Sequence, residues 1–97
     1  MRKTPTDVSE SDLRAQLARE GLRPERWSNG PRAVYAAHDH PYGKVLMVVS
    51  GQITFTVTGR GDVSMAPGDR LDLPARTPHS ALVGSHGVVC LEAHRDS

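Results

Sequence analysis

From Arg32 to Ala93 the chain is a series of short apolar runs cut by glycine, proline and aspartate. Segments rich in Val, Ile, Leu, Thr and aromatic residues fall at 33–40, 44–50, 52–58, 62–65, 70–73, 79–83 and 87–93, and each reads as a strand. The breaks lie at Pro41-Tyr42-Gly43, Gly51, Gly59-Arg60-Gly61, Pro67-Gly68, 74–78 and 84–87. Gly59-Arg60-Gly61 between two alternating runs predicts a hairpin. About seven short strands with no helix between them predict an all-β antiparallel sandwich or barrel.

Only residues 9–20 read as a helix. Ser9 followed by Asp12 resembles a capping box, and Glu10 and Asp12 suit the positive end of the helix dipole. Leu13, Leu17 and Leu22 make a narrow apolar stripe, with Gly21 as a stop signal. Such a helix covers a sheet but cannot build a core alone. The 97 residues allow a single domain, divided here into a helical N-terminal extension over 1–24 and a β-barrel over 25–97. A chain of this size buries a modest fraction of its surface, so pairing into a homodimer is expected.

Twelve Lys and Arg against eleven Asp and Glu leave a formal charge of +1, which gives no electrostatic reason to expect nucleic acid or an anionic membrane as a partner. The single cysteine, Cys90, excludes an internal disulfide framework and fits a reducing compartment. The N-terminal residues show no apolar run of the secretory kind, and no apolar stretch is long enough to span a bilayer as a helix. A cytoplasmic location is therefore expected.

His38 and His40 lie two apart on a predicted strand, so alternation sends both imidazoles to one face. Such a pair is a bidentate chelate for a transition metal. After the turn Pro41-Tyr42-Gly43, the next strand folds back beside it.

The stretch from His38 and His40 through three residues to Lys44, then six residues to Gly51, resembles the first conserved motif of the cupin superfamily. Gly68, Pro74 and His79 are spaced as in the second motif. The resemblance covers about half the chain. It implies a barrel of two packed antiparallel sheets, a double-sheet jelly roll, with one divalent metal ion in its interior held by His38, His40 and His79. The sequence also departs from the pattern. Lys44 stands where the family has its ligand Glu, Arg76 and Arg32 where it has Gly, and Val83 where it often has Asn. What remains resembles the three-His site of thiol dioxygenases and other all-His cupins. Three neutral imidazoles leave the metal charge uncompensated and at least one position open to a substrate or water. Imidazoles suit Fe, Mn, Ni, Cu and Zn alike, so the ligands do not select the metal.

Other residues have plainer readings. Asp39 alternates away from the histidine face; His86, in Gly84-Ser85-His86-Gly87, is expected to be exposed; His94 is expected at a frayed terminus. Cys90, Glu92 and His94 share one strand face, and Val89, Leu91 and Ala93 the other; which face looks inward is open. Cys90 reads as a small buried hydrophobe, Trp27 and Tyr35 as packing residues, and Tyr42 as either a turn residue or one reaching the pocket mouth.

The functional expectation is a small metal-dependent enzyme, an oxygenase, isomerase or lyase, acting on a small anionic molecule. Lys44 is its catalytic candidate, orienting the substrate or transferring a proton. The alternative is a sensor or binding cupin that holds metal or a small ligand without turnover. A third is a homodimer whose metal only stabilises the barrel. Fold alone does not decide between them.

Overall fold

A computed structural model describes residues 8–95. One helix, α1 (Glu10–Arg19), precedes six strands: β1 (Glu25–Asn29), β2 (Val34–His38), β3 (Gly43–Val57), β4 (Gly61–Met65), β5 (Arg70–Leu73) and β6 (His79–Arg95). All pairings are antiparallel. The predicted strands 44–50 and 52–58 are one long strand, β3, and 79–83 and 87–93 are one long strand, β6. The glycines read as breaks there are bends. β3 and β6 pair from Gly43↔Arg95 to Val57↔His79, with register shifts at Val48/Ser50 and Gly51/Ile53. An extra residue in one strand of a pair bends and twists the ladder.

The bends let each long strand serve two layers. The first half of β3 pairs with β5 and the second half with β4, while the matching halves of β6 pair with β1 and β2. Side chains alternate, so one face of each half points into the space between them. Leu46, Val48, Leu71, Leu73, Val88 and Cys90 from one layer meet Ile53, Phe55, Val57, Met65, Ala81 and Val83 from the other. This is the expected antiparallel β-barrel.

The layer of β1, β6, β3 and β5 is buried on its second face as well. Val45, Met47 and Leu91 pack there against Leu13 and Leu17 of α1. That explains why Val45–Val48 is an unbroken apolar run rather than an alternating one. The Ser9 side chain caps α1 by accepting from the Asp12 backbone N–H. Gly21, at φ 78°, ends it, with the N–H groups of Gly21 and Leu22 donating to the carbonyls of Ala18 and Leu17.

β1 was not visible in the sequence pattern. Glu25-Arg26-Trp27-Ser28-Asn29 has one apolar residue, and only its pairing with Val88–Glu92 of β6 makes it a strand. No helix among the described residues is long and apolar enough to cross a membrane.

Candidate metal centre

His38 is the last residue of β2 and His79 the first of β6, and the two are cross-strand partners. His40 is not on the strand, as alternation had placed it; it lies two residues past the end of β2, after a register shift between Tyr35 and His38. Its position is set instead by the loop before β6. The Arg76 N–H donates to the His40 carbonyl at 2.6 Å, in a turn that Arg76 completes at φ 59°. The three histidines nonetheless converge, with ring centroids 4.5 to 5.6 Å apart and one ring nitrogen of each within 4.8 Å of the others.

The three rings offer nitrogens that could hold a metal ion. His38 Nδ1 lies 2.7 Å from the Ala36 carbonyl oxygen, and His79 Nδ1 lies 2.9 Å from that of Thr77. A carbonyl oxygen only accepts, so each Nδ1 carries a proton, and Nε2 is the nitrogen each ring can offer to a metal. Histidines that ligate metals characteristically donate their other N–H to such a partner, which fixes tautomer and ring orientation. His40 Nε2 is buried and has no hydrogen-bond partner among the described residues. An unmet buried lone pair is costly, and a cation held by three Nε2 atoms would meet it. Burial, reinforced by the charges of Lys44, His38 and His79, holds the His40 imidazole below its ordinary range against the opposing pull of Glu92. That favours the neutral form, the form in which an imidazole ligates a metal.

A cavity of about 260 Å³ opens beside the histidines. Trp27, Tyr35, Phe55, Leu46 and Ala81 supply its apolar wall, with His38 and His79 at one side. Trp27 and Tyr35 meet edge to face at 5.9 Å, so the two residues read as packing from the sequence also wall the cavity. The charged part of the lining is Lys44 and Glu92, whose Nζ and Oε2 lie 3.2 Å apart, with side chains 12% and 20% exposed.

Glu92 had no distinguishing signal in the sequence. The face shared by Cys90, Glu92 and His94 could not be oriented until the register set Cys90 opposite Val48 and Glu92 opposite Leu46. That face looks inward. Cys90 is fully buried in the core and burial pushes its thiol up to about 12, so it is an inert apolar residue.

His94 is not frayed. It lies in β6, stacks on Tyr42 at 4.0 Å between centroids, and has its Nε2 3.7 Å from Glu92 Oε2. Tyr42 stacks in turn on His40 at 5.2 Å, which places it at the site. Asp39 and His86 are exposed, and neither belongs to the group of close ligand atoms.

Residues 26–91 match the family described as the cupin domain. No curated protein matches the sequence significantly. Among solved structures, the chain is similar to that of the DMSP lyases RdDddP and RnDddQII, with 28% identity and a TM-score of 0.73, covering 78% of this chain and 39% of that one. It therefore spans well under half the length of that relative. A protein of Ralstonia eutropha JMP134, proposed to be a mannose-6-phosphate isomerase, is similar at 30% identity and TM-score 0.68, covering 80% of this chain and 77% of that one. Oxalate decarboxylase of Bacillus subtilis, a protein with Mn(II) centres, shares the fold at 23% identity and TM-score 0.69, covering 77% of this chain and 21% of that one.

Proposed function

The chain belongs to the cupin family, and on that premise we propose that it is a metal-dependent enzyme catalysing an isomerisation or elimination on a small anionic molecule. One observation carries the reading. Three imidazoles converge, two with Nδ1 tied to backbone carbonyls and the third with an unmet buried Nε2, and two of them line a cavity whose charged lining residues, among the described residues, are Lys44 and Glu92.

His38, His40 and His79 hold the divalent ion, which when bound acts as a Lewis acid on a ligand oxygen. The ligand set does not distinguish Fe, Zn, Mn, Ni and Cu. The Lys44 ammonium attracts the anionic group of the substrate and orients it toward the histidines. Trp27, Phe55 and Leu46 give the cavity an apolar wall, and a less polar surrounding strengthens that attraction. As an ammonium, Lys44 is also suited to giving a proton to the reacting group. Proton movement is the chemistry of isomerases and lyases, the classes of two similar structures at 30% and 28% identity. We further propose a cytoplasmic homodimer. The lone Cys90 suits a reducing compartment, and an exposed apolar pair on the outer sheet face, Val34 and Leu82, is available for contact.

Protein purified without an affinity tag is expected to carry a stoichiometric divalent metal. His79→Ala is expected to fold but to lose most of it, because two imidazoles chelate weakly. Full metal content in that variant overturns the three-histidine assignment. Turnover of small carboxylates without oxygen consumption supports the isomerase or lyase reading. Metal-dependent oxygen uptake with small thiols or carboxylates replaces it with an oxygenase. Tight metal binding with no turnover across such a panel leaves a binding or sensor protein.

A further inference from the structure

We propose that Glu92 is a latent fourth ligand of this metal centre, and that the ion pair with Lys44 is what keeps it off the metal. The inference rests on the metal reading above. Lys44 removes the carboxylate that the resembling motif places at its position, yet the cavity still contains a carboxylate, brought in from the last strand. Lys44 and Glu92 lie diagonally across β3 and β6, since Lys44 opposes His94 and Leu46 opposes Glu92. Diagonal neighbours on one face are within reach of long side chains. Both side chains line the same cavity as His38 and His79.

Glu92 lines the same cavity as His38 and His79 without being one of the histidine group. Its charge and that of Lys44 act on the His40 imidazole with opposite sign. Its oxygens nevertheless lie outside the set of three mutually close ligand atoms. A dication held by neutral imidazoles keeps its full charge, and in a poorly solvated cavity that charge draws any mobile carboxylate toward it. Lys44 opposes this draw by holding Glu92 Oε2 at 3.2 Å. The result is a coordination position kept for an incoming ligand, with a carboxylate in reserve beside it.

The test uses Co²⁺ added to metal-free protein, with affinity measured by competition with a chelator and coordination followed by visible absorption. Lys44→Met is expected to tighten Co²⁺ binding by about tenfold or more (roughly 1.4 kcal/mol per tenfold) and to alter the visible bands as a carboxylate oxygen enters. In a Glu92→Gln background the same substitution is expected to gain less than about threefold, and this non-additivity is the signature of the proposed contact. Lys44→Arg, which keeps a cation against Glu92, is expected to retain wild-type affinity and bands.

Circular dichroism establishes that each variant folds, and Lys44→Gln replaces Lys44→Met if that variant does not. No gain on removing Lys44, or an equal gain in both backgrounds, overturns the proposal, because an equal gain is the effect of deleting a positive charge alone. Failure of the wild type to bind Co²⁺ removes the metal reading and this inference together.

Discussion

At Arg32 and Arg76 the backbone adopts φ of 60° and 59°, the left-handed conformation that glycine takes without strain. These are two positions at which the motifs of the resembling family have glycine and this chain does not, so the backbone shape persists although the residue that eases it is gone. At Gly51 the glycine remains because nothing else fits. Its φ is 77°, and a Cβ there would lie 2.0 Å from the Gly87 carbonyl oxygen, where β3 crosses β6. Arg76 has more freedom, and its N–H, which holds the His40 carbonyl, belongs to the backbone. An L-residue in this region costs about 1–2 kcal/mol, and glycine returns about half of the gain through the unfolded chain. Arg76→Gly is therefore expected to raise stability by about 0.5–1 kcal/mol in urea unfolding, with metal content unchanged. Lower stability would mean that the Arg76 side chain makes a contact outweighing the strain.

The helix is held to the sheet from both ends of its last turn. Inside, Leu13 and Leu17 pack on Val45, Met47 and Leu91. Outside, the Glu20 carboxylate at the C-cap accepts from Arg70 at 2.8 Å and from Arg95 at 2.9 Å, and Arg70 also pairs with Asp72. The Arg70 hydrogen bond, with the Arg95 charge behind it, lowers the Glu20 carboxyl to about 2. A folded-state value below the ordinary 4.5 means that the contribution is complete above that pH and is lost as pH falls toward 2. Melting temperatures of wild type and Glu20→Gln are expected to differ most above about pH 5 and to converge near pH 2. A difference that does not depend on pH would show that the carboxylate charge is not what joins α1 to β5 and β6.

For the molecule as a whole, the unspent surface lies on the outer face of the layer formed by β2, β6, β3 and β4. Val34 and Leu82, cross-strand partners, are 75% and 53% exposed. Scattered exposed apolar residues are ordinary, but a paired row on a sheet face is a natural contact between copies of a small barrel. Light scattering at micromolar concentration is expected to give the mass of a dimer, and Leu82→Lys to shift it toward the monomer. A monomer mass for the wild type at all micromolar concentrations refutes the dimer.

The all-β class, the capped helix, the turn residues and the pair of His38 and His40 were legible in the sequence because each depends on local chemistry. Strand-forming runs, Gly and Pro at breaks, and a serine before an amphipathic stripe act over a few residues. His79 joined that pair only through the resemblance of Gly68, Pro74 and His79 to the second cupin motif. What the sequence could not show depends on register between distant segments. Whether Gly51 and the 84–87 segment break strands or bend them follows from the pairing of β3 with β6 along their whole length. That same pairing turned Cys90 and Glu92 inward, joined Glu92 to Lys44, brought His94 against Tyr42, and made a strand of Glu25–Asn29. Local sequence specifies which residues can carry metal chemistry. The long-range ladder decides which charge stands beside them, because a shift of one residue would turn Glu92 to the opposite face.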